Sequence, residues 1–99
     1  MLDNLYAARL KQTMQIFMPY MYKYAPEDIG DAVVRYEMDN GASPSQIYSV
    51  STKMMDPACK YGINNNNRID VTQLMMLQEI QKSAKAYSIY KRTSKLRKW

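Results

Sequence analysis

Histidine is absent from this chain and cysteine occurs once, at Cys59. Without histidine the commonest general base near neutral pH is missing, and with it the Ser/His and Cys/His nucleophile pairs. A lone cysteine closes no internal disulfide, and with no imidazole to help it cannot complete a zinc site. The expectation is therefore a non-enzymatic protein with no cofactor and no metal. Long apolar runs are missing too, since none exceeds four residues. Met1 to Leu10 also lacks the basic start and apolar stretch of a signal peptide. These features predict no membrane span, no membrane partner and a cytoplasmic location. Glycine (3) and proline (4) are scarce, apolar residues make up 46 % and charged residues 23 %, a globular rather than a disordered composition. Ninety-nine residues suit one domain, burying roughly two thirds of the surface of the unfolded chain.

Strand-like alternation is also lacking, apart from Tyr20, Tyr22 and Tyr24, whereas helical spacing recurs throughout. The predicted fold is all-α: a small bundle of four main helices, one or two short helical turns and a long C-terminal helix. The first helix is expected from about Asp3, with Leu10, Met14, Phe17, Met21 and Tyr24 on its apolar stripe. Pro19 breaks that stripe, so a stop near Met18 with a short turn, or a kink, is expected. The second helix should run from Pro26 to Asp39 and bury Ile29, Ala32, Val33 and Tyr36, ending where Asn40 and Gly41 tolerate left-handed angles. Ser43-Pro44-Ser45-Gln46 is a capping box, opening a third helix that buries Ile47, Val50 and Met54 and ends by Met55. Asp56-Pro57 then reads as the start of a short turn closed by Gly62. After the polar loop Asn64 to Asn67, Asp70 caps the last helix, Gln73 completes a box and Ile69 staples against Leu74. No proline or glycine interrupts the chain from there to Arg97. Such a helix would be about 42 Å long, against about 34 Å for the diameter of a domain of this size. Its basic end is therefore expected to overhang the domain or to pack on a partner.

Acid is missing from one end altogether. From Ile80 to Trp99 there are seven basic residues (Lys82, Lys85, Lys91, Arg92, Lys95, Arg97 and Lys98) and no Asp or Glu, whereas the preceding residues hold seven basic against nine acidic ones. The net +5 is thus a body of −2 joined to a segment of +7. Clustered like charge costs stability unless something neutralises it, which points to an acidic partner. Lysine and arginine neutralise phosphates, and the interleaved Tyr90 and Trp99 can stack on bases. The candidate binding residues are Lys82, Lys85, Tyr90, Lys91, Arg92, Lys95, Arg97, Lys98 and Trp99. The expected partner is nucleic acid or an acidic protein surface, and the expected role is a small nucleic-acid-associated or regulatory protein. The alternative is a structural or interaction protein, a role compatible with a homo-oligomer, such as a phage or secretion-assembly subunit or an inhibitor docking on a larger host protein. Small size and the Asn-rich run are compatible with a phage or other mobile element.

Two local resemblances bear on these alternatives. The run from Ala32 to Ile47 resembles the first helix, turn and second-helix start of transcription-factor and recombinase helix-turn-helix domains. The pattern departs after Ile47, and Glu27, Asp28, Asp31, Glu37 and Asp39 would face phosphate badly, so two packed helices joined by a glycine turn are the preferred reading. In the last helix, Asp70, Leu74, Leu77-Gln78, Tyr87 and Lys95 resemble the C-terminal helix of type III secretion needle and rod subunits, which implies a polymerising role. Nine methionines are read chiefly as core filling, with an adaptable binding face as the alternative. Cys59 is read as an inert or partly buried thiol, and Glu27, Asp28 and Asp31 as acids suited to a helix N-terminus.

Overall fold

The computed structural model describes residues 2–56, 58, 59, 61–63 and 70–96, with side chains for 5–56, 58, 59, 61–63 and 70–89. Four α-helices appear among them: α1 (Leu2–Phe17), α2 (Pro26–Asp39), α3 (Pro44–Met54) and α4 (Val71–Leu96), with a 3₁₀ turn over Met18–Tyr22. No strand occurs among the described residues. The all-α expectation therefore holds. The Tyr20, Tyr22, Tyr24 alternation is a tight helical turn and its exit, and Pro19 sits in the first turn of that 3₁₀ segment, where its missing N–H costs nothing. No described helix is long and apolar enough to cross a membrane.

Local chemistry sets the boundaries. At the start of α3 the Ser43 Oγ accepts from the Gln46 N–H at 3.2 Å while Gln46 Oε1 accepts from the Ser43 N–H at 3.0 Å, so both halves of the box form. At α4 the Gln73 N–H donates to Asp70 Oδ1 at 3.1 Å and the Leu74 N–H to the Asp70 carbonyl at 2.9 Å. Asp70→Ala is accordingly expected to cost about 0.5–2 kcal/mol, by removing a cap acceptor and a charge favoured at the positive helix end. A lowered urea midpoint with unchanged m-value checks this; an unchanged midpoint contradicts it. The expected turn after α3 is present: the Ala58 N–H donates to Asp56 Oδ1 at 2.9 Å, and the Ile63 N–H returns to the Met54 carbonyl at 3.0 Å. The Ile69 staple and the Asn64 to Asn67 loop lie outside the described residues.

Packing places α4 along both α2 and α3, with α1 closing the other side of that pair. The core draws Ala7, Leu10 and Met14 from α1, Ile29, Val33 and Val34 from α2, Ile47, Val50 and Met54 from α3, and Met76, Leu77, Ile80 and Ala84 from α4. The radius of gyration, 13.6 Å, is that of a compact chain of this length. Most described methionines behave as core filler: Met14, Met54 and Met76 are fully buried, and Met18, Met21, Met38 and Met55 pack against the core. Cys59 is half-buried and also packs there.

Two buried stripes differ from the sequence expectation. Tyr24 is exposed rather than inward, because the 3₁₀ turn winds at three residues per turn and shifts the phase after Phe17. On α2 the inner face is Ile29, Gly30, Val33, Val34 and Glu37, while Tyr36 leans outward and meets Phe17 edge-on at 6.0 Å. The close approach of α4 sets that rotation, since Gly30 faces the Glu79 backbone. Glu37, buried, accepts a hydrogen bond from Thr13 Oγ1 at 2.7 Å, which ties α2 to α1 and satisfies a carboxylate oxygen that would otherwise carry a desolvation penalty.

Candidate nucleic-acid interface

The exposed crest of α4 is flanked by two grooves of different chemistry. On the α2 side an open groove of about 550 Å³ is lined by Glu27, Asp31, Arg35, Glu79, Lys82, Ser83, Ala86 and Tyr87. Its cations are matched by carboxylates. Arg35 Nε donates to Tyr87 Oη at 2.6 Å and lies 3.0 Å from Asp31 Oδ2, while Ser83 Oγ donates to Asp31 Oδ1 at 3.1 Å. Lys82 Nζ reaches Glu79 Oε2 at 3.2 Å. The Arg35 guanidinium is held above its ordinary pKa, first by the Tyr87 hydrogen bond and then by the Asp31 charge, so it remains a cation throughout the working pH range. This flank is a satisfied polar seam between two helices.

On the α3 side the groove measures about 410 Å³ and is lined by Tyr48, Gln78, Gln81, Lys82 and Lys85, with no carboxylate among these residues. Gln78, Gln81, Lys82 and Lys85 recur at steps of three, one and three, which brings them to one stripe of α4. Tyr48 enters from α3 with its side chain exposed. Gln81 Nε2 donates to Thr52 Oγ1 at 2.8 Å, which fixes the amide against α3 and supports the groove floor. Lys85 is exposed and makes no ion pair among the described residues. The groove therefore offers one cation without a carboxylate partner among the described residues, Lys85, a second, Lys82, whose partner Glu79 belongs to the opposite groove, amides that both donate and accept, and one aromatic ring, a set suited to phosphate and base together.

Of the residues singled out in the sequence, Lys82 and Lys85 meet at this groove. Tyr90, Lys91, Arg92 and Lys95 fall on the backbone of α4, and their side chains lie outside the described set, as do Arg97, Lys98 and Trp99 altogether. Sequence reasoning missed Tyr48, Gln78 and Gln81. The two glutamines carried a signal, because they share the helical stripe of Lys82 and Lys85. Tyr48 carried none, since its place beside α4 arises from tertiary packing across more than thirty residues. Comparison with known protein families, with curated proteins and with solved structures finds no match for this chain.

Proposed function

We propose that the protein is a small, non-enzymatic helical binding protein, nucleic-acid-associated or regulatory, which contacts phosphate through the basic end of its C-terminal helix. The observation that carries this reading is the contrast between the two flanks of α4: Arg35 and Lys82 meet Asp31 and Glu79 on the α2 side, and Lys85 stands on the α3 side in a groove lined by no carboxylate among the described residues. Surface cations of this kind neutralise phosphates and release the counterions condensed on the nucleic acid. On this reading Lys82 and Lys85 begin the contact, and the basic residues that follow in sequence, Lys91, Arg92, Lys95, Arg97 and Lys98, extend it, with Tyr90 and Trp99 as stacking groups. The solution mass measured with and without a short nucleic acid tests the proposal. A mass increase equal to bound oligonucleotide supports it, and an unchanged mass at low ionic strength counts against it.

A second reading has its own support. Tyr20, Tyr22, Tyr24 and Tyr36 are all exposed around the 3₁₀ turn, Phe17 lies 6.2 Å from Tyr20 and Tyr20 lies 6.1 Å from Tyr24. Exposed tyrosine clusters are frequent in protein interfaces. They favour a structural or interaction protein, and self-association or capture of a protein partner in the absence of nucleic acid would select that reading.

A further inference from the structure

We infer that the groove between α3 and α4 is a single-strand site, in which Tyr48 stacks on an unpaired base of DNA or RNA while Lys82 and Lys85 hold the flanking phosphates. The inference rests on the phosphate-binding reading above and adds the form of nucleic acid recognised.

Three observations point to a single strand rather than a duplex. The first is shape. The Lys82 and Lys85 stripe runs along an open, shallow groove bordered by Tyr48 of α3, whereas a helix that reads duplex DNA must project into a major groove about 8.5 Å deep. A thin, flexible strand can follow such a groove with its bases turned toward Tyr48, whereas a duplex, its bases turned inward, would bring only phosphate and sugar to it. The second is the aromatic ring. Tyr48 is 42 % exposed, and its hydroxyl makes no hydrogen bond among the described residues, so the side chain is tied to no neighbour through its polar end. A base inside a duplex has both faces occupied by its stacked neighbours, and only an unpaired base can lie against the ring.

The third is the distribution of charge across α4. Glu27, Asp31 and Glu79 line the opposite groove, which confines the favourable surface to one strip on the α3 side. One strip serves one phosphate backbone, and a second backbone crossing α4 would meet carboxylates. Gln78 and Gln81 can donate to or accept from any exposed base edge, so affinity is expected to vary little with sequence. A cleft of about 410 Å³ has room for a nucleotide-sized group.

The test compares fluorescently labelled oligo-dT, oligo-rU and a duplex of equal phosphate number, binding to wild type, Tyr48→Leu, Tyr48→Phe and Lys85→Gln at several salt concentrations, with helicity checked by circular dichroism. Wild type is expected to bind both single strands more tightly than the duplex. Tyr48→Leu should weaken single-strand binding about 5- to 150-fold, the loss expected from removing one stacking ring, and should leave the salt slope and duplex binding unchanged. Tyr48→Phe should restore the affinity, and Lys85→Gln should lower the slope. Equal or tighter duplex binding, or a folded Tyr48→Leu that binds single strands as wild type does, would overturn the single-strand assignment while phosphate binding stands. No salt-sensitive binding of either form would overturn the phosphate reading and this inference with it.

Discussion

Leu77→Ala is expected to lower stability by about 2–5 kcal/mol, the usual cost of truncating a fully enclosed leucine. Leu77 is 0 % exposed and sits on α4 between the equally enclosed Met76 and the core residue Ile80. Because α4 packs along both α2 and α3, a cavity there faces two helices at once and cannot be closed by shifting one of them. Total stability of domains this size is about 5–15 kcal/mol, so the variant should melt roughly 10 °C or more below wild type. Val71→Ala, at an exposed position of the same helix, should change stability by no more than about 0.5 kcal/mol. Thermal and urea unfolding of the two variants check the pair; equal effects would mean that the inner face of α4 is assigned wrongly.

Gly30→Ala is expected to destabilise by about 1–3 kcal/mol, even though alanine is intrinsically the better helix former. In isolation the substitution would favour α2 by about 0.5–1 kcal/mol. The added Cβ would lie 2.6 Å from the Glu79 Cβ, 2.7 Å from its backbone carbon and 2.9 Å from its carbonyl oxygen. Two of those three atoms are backbone of α4, so no rotamer change relieves the contact. The helices must move apart, and the overpacking cost exceeds the propensity gain. The same shift would disturb the seam formed by Arg35, Asp31, Ser83 and Tyr87. A urea midpoint lower than wild type checks the prediction, and a midpoint raised by the propensity gain would show that α2 and α4 do not cross at Gly30.

These two residues illustrate what the sequence reveals and what it hides. The capping box at Ser43 and Gln46 is legible because both partners lie within one turn, and the break at Pro19 is legible because the missing N–H is a local property. The inner faces of α3 and α1 follow from helical spacing, as Ile47, Val50 and Met54 and Leu10 and Met14 show. Tyr36 and Tyr24 went the other way, since which side of α2 turns inward depends on the α4 crossing at Gly30, and the exposure of Tyr24 depends on the 3₁₀ winding before it. Gly30 itself reads in sequence only as a weak point in a helix; its meaning comes from a backbone forty-nine residues away.

The candidate site divides along the same line. Lys82 and Lys85 stand out in sequence because an acid-free, cation-rich stretch is visible without any structure. The glutamines beside them share their helical stripe, and that spacing is the one signal the sequence holds for them. Tyr48 belongs to a helix whose own pattern concerns Ile47, Val50 and Met54, and only the packing of α3 on α4 brings it to the lysines. The difference between an acid-lined groove and one without carboxylates is likewise invisible in sequence, because Glu27 and Asp31 come from α2.

The measurement that bears most directly on the phosphate-binding account is the salt dependence of nucleic-acid affinity for wild type and for a variant with Lys91, Arg92, Lys95, Arg97 and Lys98 replaced by glutamine. The account predicts that wild-type affinity falls steeply and linearly in log K against log salt, that each cation neutralised lowers the slope by about 0.7 to 0.9, and that the five-glutamine variant loses most of its binding. Wild-type protein that shows no salt-sensitive binding at low ionic strength, while the five-glutamine variant changes only oligomer mass or protein capture, would contradict it.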